Sequence, residues 1–327
     1  MRILQYAIRP ATLLKYFGHL CIALAIVTLV PFIVSVLFGD YRVSLRYSIV
    51  IIGVFCLGFS LMRLQAPKRI QTNEAMVITA LIFIFSPLVL VWPIMASGLG
   101  LLDAFFETVS AVTTTGLSTA ETLLNKPDAF LFSRAWMQWV GGLGIVVLSL
   151  AVMIQPGLVA KRLDIEEDYE NDLIGSTRVN ARRVFTVYAI LTIAGVLFLG
   201  VSGHGWFESI LYSFSAVSTG GFSPNDASLN GIESHYIQFV VIIISMAGAI
   251  SLVLYHRAYR NGLQTIWHDL QIQALLIAGL LTTLLMAWFL WYQDGIHWMA
   301  ALRHGALNAL SAQSTAGFSS IDISTIG

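Results

Sequence analysis

Charged residues are few in this chain, 11% of 327, where soluble domains average about 25%. So little polar surface cannot clothe a water-soluble globule of this size. The charges also cancel, with 18 basic and 18 acidic residues, which gives no support to nucleic acid or an acidic substrate as a partner. Cysteine is scarcer, at two; Cys21 and Cys56 both fall inside apolar runs, where they read as small buried hydrophobes, so nothing supports a disulfide framework or a cysteine metal site. The seven histidines show no metal-ligand spacing, and the chain contains neither a His-Glu-x-x-His nor a Gly-x-Ser-x-Gly motif. Enzyme chemistry has no foothold, and no cofactor is called for.

What the chain has in abundance is long apolar windows: residues 17–39, 75–102, 135–160, 184–203, 236–255 and 271–293. Each is near or above the ~20 residues that cross a hydrocarbon core. A seventh, residues 47–62, is shorter but flanked by Arg46 and Arg63, whose long stems reach the headgroups. The first window is followed by no small-x-small cleavage site and is expected to stay in the protein. Thirteen of the 18 basic residues fall before the first window or after even-numbered ones, and five (Arg42, Arg46, Lys126, Arg134 and Arg303) fall in the alternate connections. The positive-inside tendency therefore predicts a multi-pass protein with a cytoplasmic N-terminus.

That orientation puts residues 97–134, 204–235 and 293–327 on the outer face, and all three are too long and too apolar for simple loops. They align with one another: residues 102–118, 207–223 and 303–319 share Ser-Ala-x-(Thr/Ser)-Thr-x-Gly-(Leu/Phe)-Ser, placing Gly116, Gly221 and Gly317 at equivalent positions, 105 and 96 residues apart. Each module reads as a spanning helix, a half-length helix of about 10 to 13 residues that is too short to cross, a Thr/Gly turn, and a second spanning helix. Hydrocarbon offers no partner for exposed N–H and C=O groups, so irregular backbone at that depth must lie inside protein or beside a water-filled passage. Amphipathic hairpins lying on the outer surface are the alternative, and three matching copies weigh against it.

A dehydrated cation needs dipolar oxygens, which rings of backbone carbonyls supply in potassium-selective pores. Thr114-Thr115-Gly116, Thr219-Gly220-Gly221 and Thr315-Ala316-Gly317 fit that need: glycine lets consecutive carbonyls face one side, hydroxyls add oxygens or brace the turn, and each half-helix aims its carbonyl-rich end at the ion. Ser110, Ser215 and Ser311, six residues before the glycines, are read as packing or capping positions. Asp103, Glu107, Glu121, Glu208, Asp226, Asp294 and Asp322 are placed outside, either concentrating cations at an entry funnel or serving as ordinary solvated and capping carboxylates. Gly141-Gly142-Leu143-Gly144 reads as close helix packing rather than a phosphate loop. The mixed-charge stretch 161–183 reads as a cytoplasmic linker, with docking of a cytosolic partner as the alternative.

These residues resemble the TrkH/KtrB family of bacterial potassium uptake proteins. The resemblance rests on Thr113-Thr114-Thr115-Gly116, Ser218-Thr219-Gly220-Gly221-Phe222-Ser223, Ser314-Thr315-Ala316-Gly317-Phe318, and Trp136-Met-Gln-Trp-Val-Gly-Gly-Leu-Gly144. It covers nearly the whole chain, and two spans ahead of the first module are more like TrkH than KtrB. It implies an all-α integral membrane fold of repeated modules about a pseudo-fourfold pore. The expected division is residues 1–70 as two N-terminal spans, 71–162 as module 1, 163–262 as linker and module 2, and 263–327 as an incomplete module 3, about 2.5 of the family's four modules. It further implies K⁺ uptake across a bacterial inner membrane, K⁺ held at the nine turn residues, a homodimer in the lipid bilayer, and a cytosolic nucleotide-binding regulator of the TrkA kind. The chain is then expected to be a truncated form or to be completed by another chain. A non-transporting membrane scaffold is the rival reading, and an intramembrane enzyme ranks last.

Overall fold

The computed structural model describes residues 8–67, 70–153, 167–262, 264–293 and 295–321, and these are helical with no strand among them. The protein opens with a hairpin of two long helices, α1 (Pro10–Leu37) and α2 (Tyr41–Met62). Pro10 stands in the first turn, where its missing N–H costs nothing. The two backbones meet at Gly18 and Gly58: a methyl on either would lie 2.8 Å from the other's carbonyl oxygen. Between helices in lipid, close contact through small residues supplies the attraction that water supplies elsewhere.

Three modules follow. The first is α3 (Thr72–Ile94), the short α4 (Leu101–Val112) and α5 (Asp128–Met153). The second is α6 (Glu167–Val201), α7 (Trp206–Val217) and α8 (His235–Ala249). Two connectors, α9 (Leu252–Asn261) and α10 (Gln264–Trp267), lead to α11 (Leu270–Tyr292) and α12 (Trp298–Gln313). A helix the length of α4 or α7 rises about 18 Å, little more than half of a ~30 Å hydrocarbon core. Among the described residues five segments are long and apolar enough to cross a membrane, within α1, α2, α3, α6 and α11. Their outward faces carry exposed Ile26, Ile52, Ile84, Ile193 and Leu281, the continuous apolar surface that lipid covers.

The modules interlock. Phe222, which follows the glycine of the second turn, packs in the cluster of α2 to α5 with Tyr47, Leu90 and Phe130. Leu307 and Phe318 of the third pack into the cluster of the second with Tyr188, Tyr212 and Val241. Helices α4 and α7 each end on a glycine of the next long helix: a methyl on Gly141 of α5 would overlap the Val112 carbonyl, and one on Gly248 of α8 the Val217 carbonyl. The Gly-rich run on α5 is thus a packing surface.

Three elements differ from the sequence reading. The sixth span is not straight: α8 and α9 meet at 89°, because the backbone turns extended at Ile250 (φ −72°, ψ 139°) and the Tyr255 hydroxyl donates to the Ala247 carbonyl at 2.7 Å across the bend. Helix α5 begins at Asp128 rather than Ala135, since Arg134 is buried and ion-paired instead of lying in an outer connection. Helix α6 begins at Glu167, inside the stretch read as linker; residues 161–166 lie outside the described ones, as do Lys68, Arg69, Asp294 and Asp322.

Candidate ion-binding site

The three Thr/Gly turns are the same structure built three times. In each, the N–H five residues on from a half-helix carbonyl closes a wide loop: Thr115 to Ser110 at 2.8 Å, Gly220 to Ser215 at 2.8 Å, Ala316 to Ser311 at 3.1 Å. Inside it a tighter bond runs from Thr114 to Ala111, Thr219 to Ala216 and Thr315 to Ala312, at 3.0 to 3.1 Å. This is the Schellman ending, whose left-handed residue is usually glycine. Here it is threonine each time, at φ 56°, 52° and 61°. A β-branched side chain in that region costs about 1–2 kcal/mol, a strain that persists only where the surroundings over-determine it. Two residues later Gly116, Gly221 and Gly317 take φ of 79°, 77° and 76°, which glycine adopts freely.

The turns stand side by side in sequence order. A methyl on Gly116 would overlap the Gly220 carbonyl, and its Cβ position lies 3.6 Å from the Gly221 Cα; a methyl on Gly221 would overlap the Ala316 carbonyl. The same position on Gly317 meets no described atom within 4 Å. Residues after the glycines follow the same rotation: Phe222 and Phe318 are 3% and 2% exposed, each inserted into the preceding module, whereas Leu117 is 63% exposed. Thr115, Thr315 and Gly317 are exposed, while Gly220 and Ala316 are buried. The Thr315 hydroxyl reaches Thr219 Oγ1 at 3.4 Å, and Thr113 and Thr115 hydroxyls lie 2.8 Å apart. Contacts thus join turn 1 to turn 2 through Gly116, Gly220 and Gly221, and turn 2 to turn 3 through Thr219, Gly221, Thr315 and Ala316.

The braces behind the turns were not legible as such. Gln138 on α5, 0% exposed, donates through Nε2 to the Gly220 carbonyl at 2.6 Å and accepts at Oε1 from the Phe222 N–H at 3.1 Å. The residue nine before each glycine ties the outgoing chain to its half-helix. Glu107 accepts from the Ser118 hydroxyl and from Thr119 N–H at 2.9 Å. Tyr212 shares a 3.0 Å hydrogen bond with Ser223, and Asn308 donates to Ser320 Oγ at 3.1 Å and accepts from its N–H at 3.0 Å. The alignment holds these three in register; their differing chemistry hides the shared role. Among the equivalent serines, Ser110 Oγ donates to the Leu117 carbonyl at 2.6 Å, while Ser215 and Ser311 are buried with unbonded hydroxyls.

The acids divide. Glu107 is no funnel acid: it is 0% exposed and ion-paired to Arg134 at 2.8 Å. Asp226 links the loops after turns 1 and 2, accepting from Leu123 N–H at 2.6 Å and Thr122 Oγ1 at 2.8 Å. Asp103 and Glu208 stand in the first turns of α4 and α7, where a negative charge suits the helix dipole. Glu121 is exposed. The loops after turns 2 and 3 are joined by Leu229 N–H to the Ser319 carbonyl at 2.9 Å and Ser319 N–H to Ser228 Oγ at 3.1 Å.

Comparison with known proteins adds a family-level likeness. The model of a family described as "TrkH: Cation transport protein" matches residues 48–327. The chain is 30% identical over 326 residues to the Trk system potassium uptake protein TrkH of Halomonas elongata, covering 96% of this chain and 67% of that one. It is 28% identical over 318 residues to an uncharacterized cation transporter of Methanocaldococcus jannaschii, covering 96% and 64%. The crystal structure of the potassium transporter TrkH from Vibrio parahaemolyticus superposes with a TM-score of 0.83 over 96% of this chain and 66% of that one, at 23% identity, a likeness of fold. The chain spans about two thirds of the length of these relatives.

Proposed function

Because the chain belongs to the TrkH family of cation transport proteins, a family of transporters rather than enzymes, we propose that it carries K⁺ inward across a bacterial inner membrane through a passage lined by its three turns. The observation that carries this reading is the threefold recurrence of a strained Thr and a left-handed Gly in adjacent, sequence-ordered turns. Strain of that kind concentrates where backbone must be held in one arrangement for a ligand, and adjacent turns offering main-chain and hydroxyl oxygens suit a cation stripped of water.

In this reading K⁺ is coordinated at Thr114, Thr115, Gly116, Thr219, Gly220, Gly221, Thr315, Ala316 and Gly317. The Gly220 carbonyl is positioned by Gln138, which leaves its second lone pair for an ion. Exposed Leu117 and the open side of Gly317 are the two flanks against which a fourth turn, from further protein, would close the ring. The N-terminus is cytoplasmic, in keeping with the basic-residue asymmetry, which burial of Arg134 inside α5 sharpens. Relatives named as parts of a Trk system support partnership with a cytosolic nucleotide-binding regulator of the TrkA kind and, with the family resemblance, a homodimer.

The test is expression, together with protein that supplies a fourth turn, in cells lacking other potassium uptake systems. Growth at low potassium, with uptake of K⁺ measured directly, is the expected outcome. Membrane-inserted protein that restores neither would overturn the reading in favour of a non-transporting scaffold.

A further inference from the structure

Among the buried polar groups one pair lies outside the filter turns and yet reaches two of them. Glu107 on α4 and Arg134 on α5 are 0% and 2% exposed, with Arg134 Nε 2.8 Å from Glu107 Oε2. The acid's other oxygen accepts from Ser118 and Thr119, so it grips the chain leaving turn 1. The guanidinium carbon lies 3.9 Å from the centroid of the Phe222 ring and 5.3 Å from that of Phe130. Phe222 follows the glycine of turn 2, and its N–H is held by Gln138. One ion pair thus takes hold of turn 1 by its acid and turn 2 by its base.

Stability alone does not account for ionised side chains here. Replacing a buried pair with well-packed apolar residues is often neutral or stabilising, whereas a pair that specifies one arrangement has a reason to persist. The equivalents of Glu107 in the other modules, Tyr212 and Asn308, tie down their own turns with neutral hydrogen bonds. Neither Tyr212 nor Asn308 needs a cation for that role, so the charge at Glu107 serves Arg134. Arginine suits the position because its guanidinium pairs with a carboxylate through its edge while its flat face lies on a ring; a lysine ammonium is a point charge on a flexible stem and does not do both.

We propose that Arg134 is a positioning residue for the ion passage: paired with Glu107 and stacked on Phe222, it sets the placement of turn 1 relative to turn 2 and thereby the preference for K⁺ over Na⁺. The inference rests on the transport reading above for its ionic consequence, while the coupling of the two turns stands apart from it. Selectivity depends on the number and placement of coordinating dipoles, so a shift between adjacent turns alters it while leaving the protein folded.

Two measurements on the complete protein, made with Arg134→Lys and Phe222→Leu, test it. The first is hydrogen exchange of the purified protein in detergent: Arg134→Lys, which keeps the charge, is expected to speed exchange in residues 115–119 and 220–223 together. Exchange unchanged in both stretches overturns the coupling whether or not the chain transports anything. The second is uptake of K⁺ and Na⁺ by cells: both variants are expected to retain K⁺ uptake and to lower the K⁺/Na⁺ ratio about three- to tenfold, the scale of one cation–ring contact. A wild-type ratio in both variants, with the protein folded, overturns the role in selectivity. Phe222→Leu leaves the ion pair intact and carries the test should Arg134→Lys fail to reach the membrane. Uptake by the unaltered chain judges the transport reading separately.

Discussion

Turn 2 and turn 3 have the same sequence pattern and the same backbone angles, but they are held differently. Turn 2 is clasped from both sides: Gly116 lies against the Gly220 carbonyl, Gly221 lies against Ala316, Gln138 bonds it from behind, and Phe222 is stacked under Arg134. Among the described residues turn 3 is held on one side only, by turn 2 and by Ser319 against the loop at Ser228 and Leu229. The lesson is that equivalent glycines are required for different reasons. At Gly116 and Gly221 the angle and the neighbour's carbonyl both exclude a side chain. At Gly317, among the described residues, the angle alone does.

Substitutions can break this contrast, and Gly221→Ala has the largest expected effect. It adds left-handed strain of about 1–2 kcal/mol to overpacking of about 1–3 kcal/mol, so K⁺ uptake should be abolished; near-normal uptake would show that the carbonyl contact is soft. Gln138→Leu comes next, leaving the Gly220 carbonyl and Phe222 N–H buried without partners at about 1–3 kcal/mol each. It should lower the unfolding temperature and K⁺/Na⁺ discrimination together, and a variant with both unchanged would remove Gln138 from the site. Asp226→Ala removes two hydrogen bonds between the loops, worth about 1–2 kcal/mol at an exposed position. Faster amide exchange at Leu123 with transport retained is the expected reading. The smallest effect belongs to Gly317→Ala, about 1 kcal/mol from its angle alone. If uptake falls as far as with Gly221→Ala, another protein surface closes on Gly317 and the contrast between the turns disappears.

The repeat was legible because it is local. The Ser-Ala-x-(Thr/Ser)-Thr-x-Gly core lies at the end of a segment too short to span, and the structure places α4, α7 and α12 with their turns where the alignment does, α12 running to 16 residues where 10 to 13 were expected. Glu107 was misplaced for an equally physical reason. An acid in an outer segment reads as solvated, and its partner Arg134 lies 27 residues on, just ahead of an apolar window; only packing reveals that each makes the other tolerable inside. Gln138 stood within a recognised motif, but a lone glutamine at the head of an apolar helix does not announce which carbonyl it will meet 82 residues away. The bend at Ile250 was missed because hydropathy counts apolar residues without regard to backbone angle.

The sequence by itself determined a helical membrane protein with three half-length helices and three glycine turns, since hydrophobic length and backbone permissiveness are properties of short stretches of chain. The tertiary structure alone decided the order of the turns around one cluster, the clasping of turn 2, and the pairing of Glu107 with Arg134. Each of these depends on atoms meeting across modules, and a charge or a carbonyl takes its role from what lies within a few ångströms of it in space.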